Sequence, residues 1–457
     1  MRIAYLLLIS ACIGCGSQKG AAAAAHANGN GQGALADRDA NGDATPVPDA
    51  AVAGAADAKA TVGFDAPNPD VRTDTVVAAK DSTTEPAGDD APCKYFTTAL
   101  GGEQSTASAV VALADGFALF GTAHINQVPW HARLVRTDSS GHELWAKSYD
   151  GPYSAFGTSL VALSDGFAFA GSTSATADNR NQGWLVRTDP AGNVLWQQTF
   201  DSVYEETFFA LAALPDGFAA AGRIENVVAT GEQVSLRRTD LDGKLLWSAS
   251  YGAAGDDVAY ALVPTASGFA IAGTAGGVGD KLDAWLIATD KNGMKLWDKT
   301  YGDTLSQGFA GMAATADGFV LVGAKGGGTS SLWVVRTDAA GAVVWERTYS
   351  GSGGEGWAGG ARGVQVLPDG FAVAGRAYFV NTADAWLIRM DLMGNPMWDH
   401  HFGTQNEEAG EALAVVPDGF AMAGQAQIGQ DWVDEMWLVR TDAWGNVTCA
   451  AGAATGK

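Results

Sequence analysis

"DGFAVAGRAYFVNTADAWLIRMDLMGNPMW", residues 369–398, opens with Asp-Gly-Phe, alternates apolar and polar residues through two runs, and closes on Trp. The stretch after it, 418–449, reads "DGFAMAGQAQIGQDWVDEMWLVRTDAWGNVTC", and the one before, 317–345, reads "DGFVLVGAKGGGTSSLWVVRTDAAGAVVW". First and last words are kept while the middle changes. The same opening, Asp or Ser followed by Gly-Phe, stands at Asp115, Asp165, Asp216, Ser267, Asp317, Asp369 and Asp418, at intervals of 50, 51, 51, 50, 52 and 49 residues. Self-similarity at this period marks an array of supersecondary units rather than one irregular domain.

Within a unit the apolar pattern has period two, broken by turn residues. In the first copy "TASAVVALADG" is a strand ending in an Asp-Gly turn and "FALFGTAH" is the next. "ARLVRTD" is the third and "HELWAKSY" the fourth, joined through "TDSSG". Four antiparallel strands in seven copies predict an all-β, seven-bladed β-propeller over residues 93–449. A β-solenoid would use shorter coils without hairpin turns.

The repeated residues have packing roles. Phe117, Phe167, Phe218, Phe269, Phe319, Phe371 and Phe420 follow each opening, and Gly returns from Gly121 to Gly424. Large rings fill the space between blades, and small residues let the inner strands crowd together. Trp145, Trp196, Trp247, Trp297, Trp345 and Trp398 each lie seven residues after the Asp that ends strand three. A second Trp opens strand three at Trp184, Trp285, Trp333, Trp386 and Trp437. Recurrence at one register argues for packing rather than for binding sugars or bases.

"LVRTDPAGNVLW" resembles the Trp-docking motif of PQQ-like propeller repeats, in which Asp, a turn Gly and Trp tie the outer strands to the next blade. The whole unit is similar to repeats of secreted bacterial and archaeal propeller proteins. This chain departs from the PQQ pattern in placing its turn Gly three residues after the Asp (Asp189, Gly192). The resemblance implies the propeller fold and leaves the chemistry open. Quinone-dependent dehydrogenases of that family typically use eight blades, a vicinal cysteine pair and calcium-binding acids. Seven repeats and no vicinal cysteines point away from that activity.

The chain's ends read differently. "MRIAYLLLISACIGCGSQKG" has the Arg2 charge, apolar core and small residues of a signal peptide, and it resembles a bacterial lipoprotein signal. Residues 1–11 would be removed and Cys12 acylated, with Cys15 the alternative and a non-lipidated secretory signal the remaining reading. Residues 12–92 are rich in Ala, Gly, Asp and Pro, with Phe64 the only aromatic up to Pro92, and cannot bury enough apolar surface to order. Twelve acidic and four basic residues between Asp37 and Asp90 give this expected disordered tether a net charge of −8, which extends it. Residues 450–457 are a short tail. The whole chain carries 28 Lys and Arg against 51 Asp and Glu, net −23, the wrong balance for a nucleic-acid partner.

Cys449 falls where six copies carry the closing Trp, and Cys93 lies 22 residues before Asp115, near the spacing from Trp to the next copy. Both would then belong to the fourth strand of the last blade, which the N-terminal segment completes beside a short C-terminal strand. Neighbouring strands lie about 4.7–4.9 Å apart, within a disulfide's Cα span of about 4.4–6.8 Å. In an oxidising compartment a Cys93–Cys449 disulfide closing so long a loop stabilises by about 4–5 kcal/mol on the loop-entropy estimate. Two free buried thiols are the alternative.

Binding is expected on one face. The Asp-Gly and Asp-to-Trp turns are constant, whereas the connections from strand two to three vary and those between blades swell at "SGSGGEGWAGGAR". Both variable connections lie on the same side of such a ring, where Trp130, Trp357 and Trp432 stand outside the repeated Trp registers as candidate contacts for a protein or glycan. That face also carries Glu205-Glu206, Asp256-Asp257 and Glu407-Glu408 where the innermost strands begin, with Asp303 and Glu355 nearby. Oxygen clusters of this kind could hold Ca²⁺; otherwise the carboxylates solvate blade tips and cap turns. The six His, at 26, 124, 131, 142, 400 and 401, show no metal-ligand spacing, and alternation sends His400 and His401 to opposite faces of a strand.

The sequence therefore predicts a monomeric, lipid-anchored propeller of the cell envelope, at the outer membrane's periplasmic side or on the cell surface. It would act as a non-catalytic binding or scaffolding module for a protein or glycan, without nucleic acid and without a firm cofactor. The other reading is an envelope glycan hydrolase or lyase using acids of the same face.

Overall fold

The computed structural model describes residues 96–100, 104–124, 129–174, 180–200, 204–226, 231–252, 255–276, 281–326, 331–349, 357–358, 361–378, 382–404, 406–428, 433–447 and 449–450. The expected signal (1–11) and tether (12–92) with Cys12 and Cys15, together with Cys93, Glu355, Trp432 and the tail beyond Ala450, lie outside the described residues. Of Trp357 and Cys449 only the backbone is described.

The described strands form seven sheets, one per sequence copy, antiparallel except for one short parallel pair in the last. Blade one is typical: Gln104–Leu113, Gly116–His124, His131–Asp138 and Glu143–Tyr149 pair in order. The first strands neighbour one another around the ring axis, and the fourth strands form the outer edge. Hydrogen bonds cross between inner strands, such as Thr158 Oγ1 donating to Phe208 O at 2.8 Å and Gln365 Nε2 to Leu413 O at 2.7 Å. Six of the seven sheets carry a bulge in the first strand. Blade six instead breaks that strand into Trp357–Ala358 and Gly363–Leu367, both paired to Gly370–Tyr378, where its insertion enters.

The core is a set of separate packets between adjacent blades. One holds Trp184 and Phe169 against Phe120, Leu134 and Tyr149 of blade one. Another holds Trp333 and Phe309 against Leu286 and Tyr301 of blade four. The packet between blades two and three is small and contains no fully buried Trp.

Each turn between strands three and four is built by its Asp. Asp138 Oδ1 accepts Ser140 N–H at 2.8 Å and His142 N–H at 2.9 Å, and the bond four residues on recurs in all seven blades. The turn glycine has a left-handed backbone, as at Gly192 with φ 75°. A Cβ there would meet the Trp145 ring of the preceding blade at 2.9 Å. Trp196 likewise covers Gly243, and its indole N–H donates to Leu241 O at 3.1 Å. Trp145, Trp196, Trp247 and Trp398 also meet the Phe of the next blade edge-on, with centroids 5.9 Å apart for Trp196 and Phe218, and Trp345 meets Phe371 tilted.

Blade seven closes the ring with the chain's other end. Phe96–Leu100 pairs antiparallel with Val433–Asp442, and Cys449–Ala450 adds a short parallel strand outside it. The N-terminal segment thus completes the last blade, as expected. One expectation is corrected: the docking position belongs to Phe96 and not to Cys449. Phe96 pairs with Arg440 as Trp145 pairs with Arg136, and its ring covers Gly141 of blade one. Cys449 pairs with Phe96 from the outer side.

Candidate functional site

A pair absent from the sequence expectations runs along the constant face. Arg136 sends Nη1 to Phe117 O at 3.1 Å and Nη2 to the Asp115 carboxylate, and it also reaches Thr137 O. The same clamp joins Arg187 to Asp165, Arg238 to Asp216, Arg336 to Asp317, Arg389 to Asp369 and Arg440 to Asp418. Blade four has Ser267 and Ala288 instead, so both partners are replaced together. That joint loss was the available signal.

The acidic pairs are not brought together. Glu206 begins the first strand of blade three, fully buried, and forms a bidentate pair with Arg237 of the same blade at 2.9 and 3.0 Å. Burial pushes its pKa up, opposed by the hydrogen bonds and charge of Arg237. Asp257 is buried and accepts Gly276 N–H at 2.9 Å, while the exposed Asp256 accepts Glu232 N–H at 3.2 Å. Glu408 is buried, accepting Thr404 Oγ1–H at 2.8 Å and Thr404 N–H at 3.1 Å; Glu407, half exposed, pairs with Arg376 at 2.6 Å. Glu205 is exposed, and its carbonyl accepts Glu225 N–H at 2.8 Å. Asp303 binds Leu305 N–H at 3.0 Å and Gln307 Nε2 at 2.6 Å. These carboxylates lie at the starts of inner strands and are engaged one by one: Glu206 and Asp257 bond within their own blades, whereas Asp256 and Glu407 reach Glu232 and Arg376 of the preceding blade. No group of three or more His, Cys, Asp or Glu close enough to share an ion occurs among the described residues.

Among the loop aromatics, Trp130 is half-buried, with its ring 4.8 Å from His124 and 6.2 Å from Phe156 of blade two. Its carbonyl accepts Ala155 N–H at 2.7 Å. Trp357 pairs through its backbone with Tyr378. His400 and His401 do part to opposite sides. His400 Nε2 meets Trp444 O at 2.9 Å, and His401 stacks on Trp386 with centroids 5.5 Å apart.

Two features escaped the sequence reading. Exposed Leu144, Leu195, Leu246, Leu296, Val344 and Met397, each directly before a closing Trp, form an apolar rim around the outer edge toward the constant face, where Trp444 is also exposed. The second is a cleft of about 470 Å³ on blade three, lined by Tyr204, Ile224, Glu225, Gln233, Ser235, Arg237 and Ser248 to Ser250. In five other blades the register of Ser235 holds a buried Trp, and its indole N–H in four of them meets the residue after the closing Trp: Gln197, Asp298, Glu346 or Asp399. Blade three has Ser235 and Ser248 at the two places, and blade one has Arg133 at the first. A smaller cleft of about 320 Å³ on blade two is lined by Asp150, Thr173, Trp184 and Gln197.

Scanned against protein families the chain matches none, and it has no match among curated proteins. Solved structures do resemble it. A candidate 6-phosphogluconolactonase from Bacteroides fragilis is 12% identical, with a TM-score of 0.48 over 76% of this chain and 94% of the other. The periplasmic gluconolactonase of Pseudomonas aeruginosa is 12% identical, with a TM-score of 0.47 over 72% and 98%. The β-propeller domain of the Trilobed protease from Pyrococcus furiosus is 7% identical, with a TM-score of 0.39 over 76% and 94%.

Proposed function

We propose that the chain is a non-catalytic binding or scaffolding module of the cell envelope, lipid-anchored through Cys12 or Cys15, that holds a protein or glycan partner on its variable-loop face. Its repeats are read as PQQ-like in their docking pattern but not in chemistry. One observation supports the reading above the rest. The repeated Phe, Gly, Trp, Arg and Asp residues serve packing between blades and turn geometry, so that the non-repeated residues differ mainly along one side of a rigid ring.

The test challenges the mature protein with envelope extract and with purified envelope glycan. Wild type should retain one partner, and the combined Trp130→Ala, Trp357→Ala, Trp432→Ala variant should lose it. A rim variant, Leu195→Ser with Leu246→Ser and Leu296→Ser, should keep it. Loss in the rim variant alone would move the binding face. Release of glycan fragments on incubation would replace the module by a hydrolase or lyase, which needs two carboxylates about 5–10 Å apart.

The anchor and the closure are proposed with it. Labelled palmitate should enter the wild type and not Cys12→Ser, whereas loss only in Cys15→Ser moves the anchor and no label at all means plain secretion. Non-reduced peptide mapping should recover Cys93 linked to Cys449, and recovery of both as alkylated free thiols would remove the disulfide.

A further inference from the structure

We propose that the cleft on blade three is a binding site for a neutral pyranose, a single sugar ring or the terminal ring of a glycan. The cleft lies toward the variable-loop end of blade three, on a blade that carries none of Trp130, Trp357 and Trp432, so loss of a partner in the Trp variant and loss of sugar in a cleft variant are separate outcomes. At the corresponding place on blade two, Trp184 and Gln197 line a smaller cleft of about 320 Å³, and blade three has a wider one of about 470 Å³. Where a Trp register in five blades is buried, Ser235 leaves the slot open, and Ser248 replaces the polar residue that elsewhere meets the indole. Giving up a large buried ring opposes packing, and the packet between blades two and three is correspondingly small.

The lining determines the ligand class. Tyr204 supplies an aromatic face and a hydroxyl, and Ser235, Ser248 and Ser250 supply hydroxyls that both donate and accept. The buried Ser235 hydroxyl lies near enough to Glu206 to favour its charge, yet makes no hydrogen bond of normal geometry with a described residue. Arg237 carries the only positive charge of the lining, and Glu206 already neutralises it in the bidentate pair. Exposed Glu225 at the margin leaves the neighbourhood negative, which disfavours an anionic ligand. Sugar hydroxyls match alternating donors and acceptors of this kind, and the volume lies within the ordinary range for small-molecule sites.

The test titrates the full mature chain by calorimetry with glucose, galactose, N-acetylglucosamine, glucuronate and indole. At least one neutral sugar should bind, and glucuronate should bind more weakly than glucose. Ser235→Trp, which restores the residue of five blades, should weaken binding by at least about tenfold while keeping the wild-type melting temperature. Ser248→Gln, the residue blade two uses at that place, keeps the question open to measurement if Ser235→Trp folds poorly, and should also weaken binding. No heat with any of the three neutral sugars, unchanged affinity in Ser248→Gln, or binding of indole in preference to sugar would each overturn the proposal.

Discussion

Arg136 and its counterparts set a buried guanidinium against a carboxylate that is largely in water: side-chain exposure is 8% for Arg136 and 77% for Asp115. The carboxylate is therefore screened and contributes little alone. The arginine's buried bond to the Phe117 carbonyl is shielded from water and carries the greater part of the clamp. Blade four offers a clean experiment, since Ser267 and Ala288 have replaced both partners. Installing Ser267→Asp and Ala288→Arg together should stabilise beyond the sum of the single changes by about 0.5–1 kcal/mol. Urea denaturation of the four proteins measures this, and strictly additive energies would contradict the clamp.

Glu408 carries a pH prediction at the same scale. Burial pushes its pKa up, the nearby Asp384 adds to that, and the hydrogen bonds from Thr404 and the charge of Arg376 oppose it. A raised folded-state pKa means that the native protein binds more protons than the unfolded chain above the ordinary Glu range. This group's contribution is then full below the unfolded pKa and is lost as pH rises through the folded one. Glu408→Gln removes the titration but keeps the shape. Its stability relative to wild type should therefore rise between about pH 4.5 and neutrality. A difference that stays flat or falls would show that the Thr404 bonds outweigh burial.

At the scale of the strand and blade, the repeat made the sheets legible because period-two alternation and turn residues recur often enough to be counted. The acidic residues were legible in position but not in role. Arg237 pairs with Glu206 from 31 positions away, and Arg376 with Glu407 from the same separation, so a local reading shows the acids without their partners. The cleft of blade three was hidden for another reason: it is wider than its counterpart on blade two where a Trp is missing, and a search for recurring residues passes over an omission. The closing strand was half legible. "FTTAL" has no Trp or Arg-Thr-Asp to align, so counting placed Cys449 where the structure places Phe96. Phe96 is buried at 2% exposure, and Phe96→Ala should cost about 3–5 kcal/mol. Thr98→Ala on the same strand, half-buried, should cost under about 1 kcal/mol. Equal midpoints of unfolding for the two variants would remove Phe96 from its docking role.

For the whole molecule, the central claim is a ring of seven blades in which residues near the two ends of the folded body share one sheet. Met436 N–H also donates to Ser105 Oγ at 3.0 Å, so the last blade is tied to the first by side chain as well as by strand. Packets between adjacent blades hold the rest, and opening the ring at blade seven would expose the packet shared by Phe96, Leu119, Val135 and Leu438. Closure should therefore be as stable as the sheets it joins. Amide hydrogen exchange on the full chain measures that directly. The amides of 96–100 that face the strand Val433–Asp442 should exchange as slowly as their partners at 436–440, through global unfolding. Exchange of 96–100 at the rate of an unprotected peptide, with 436–440 still protected, would contradict the closed ring.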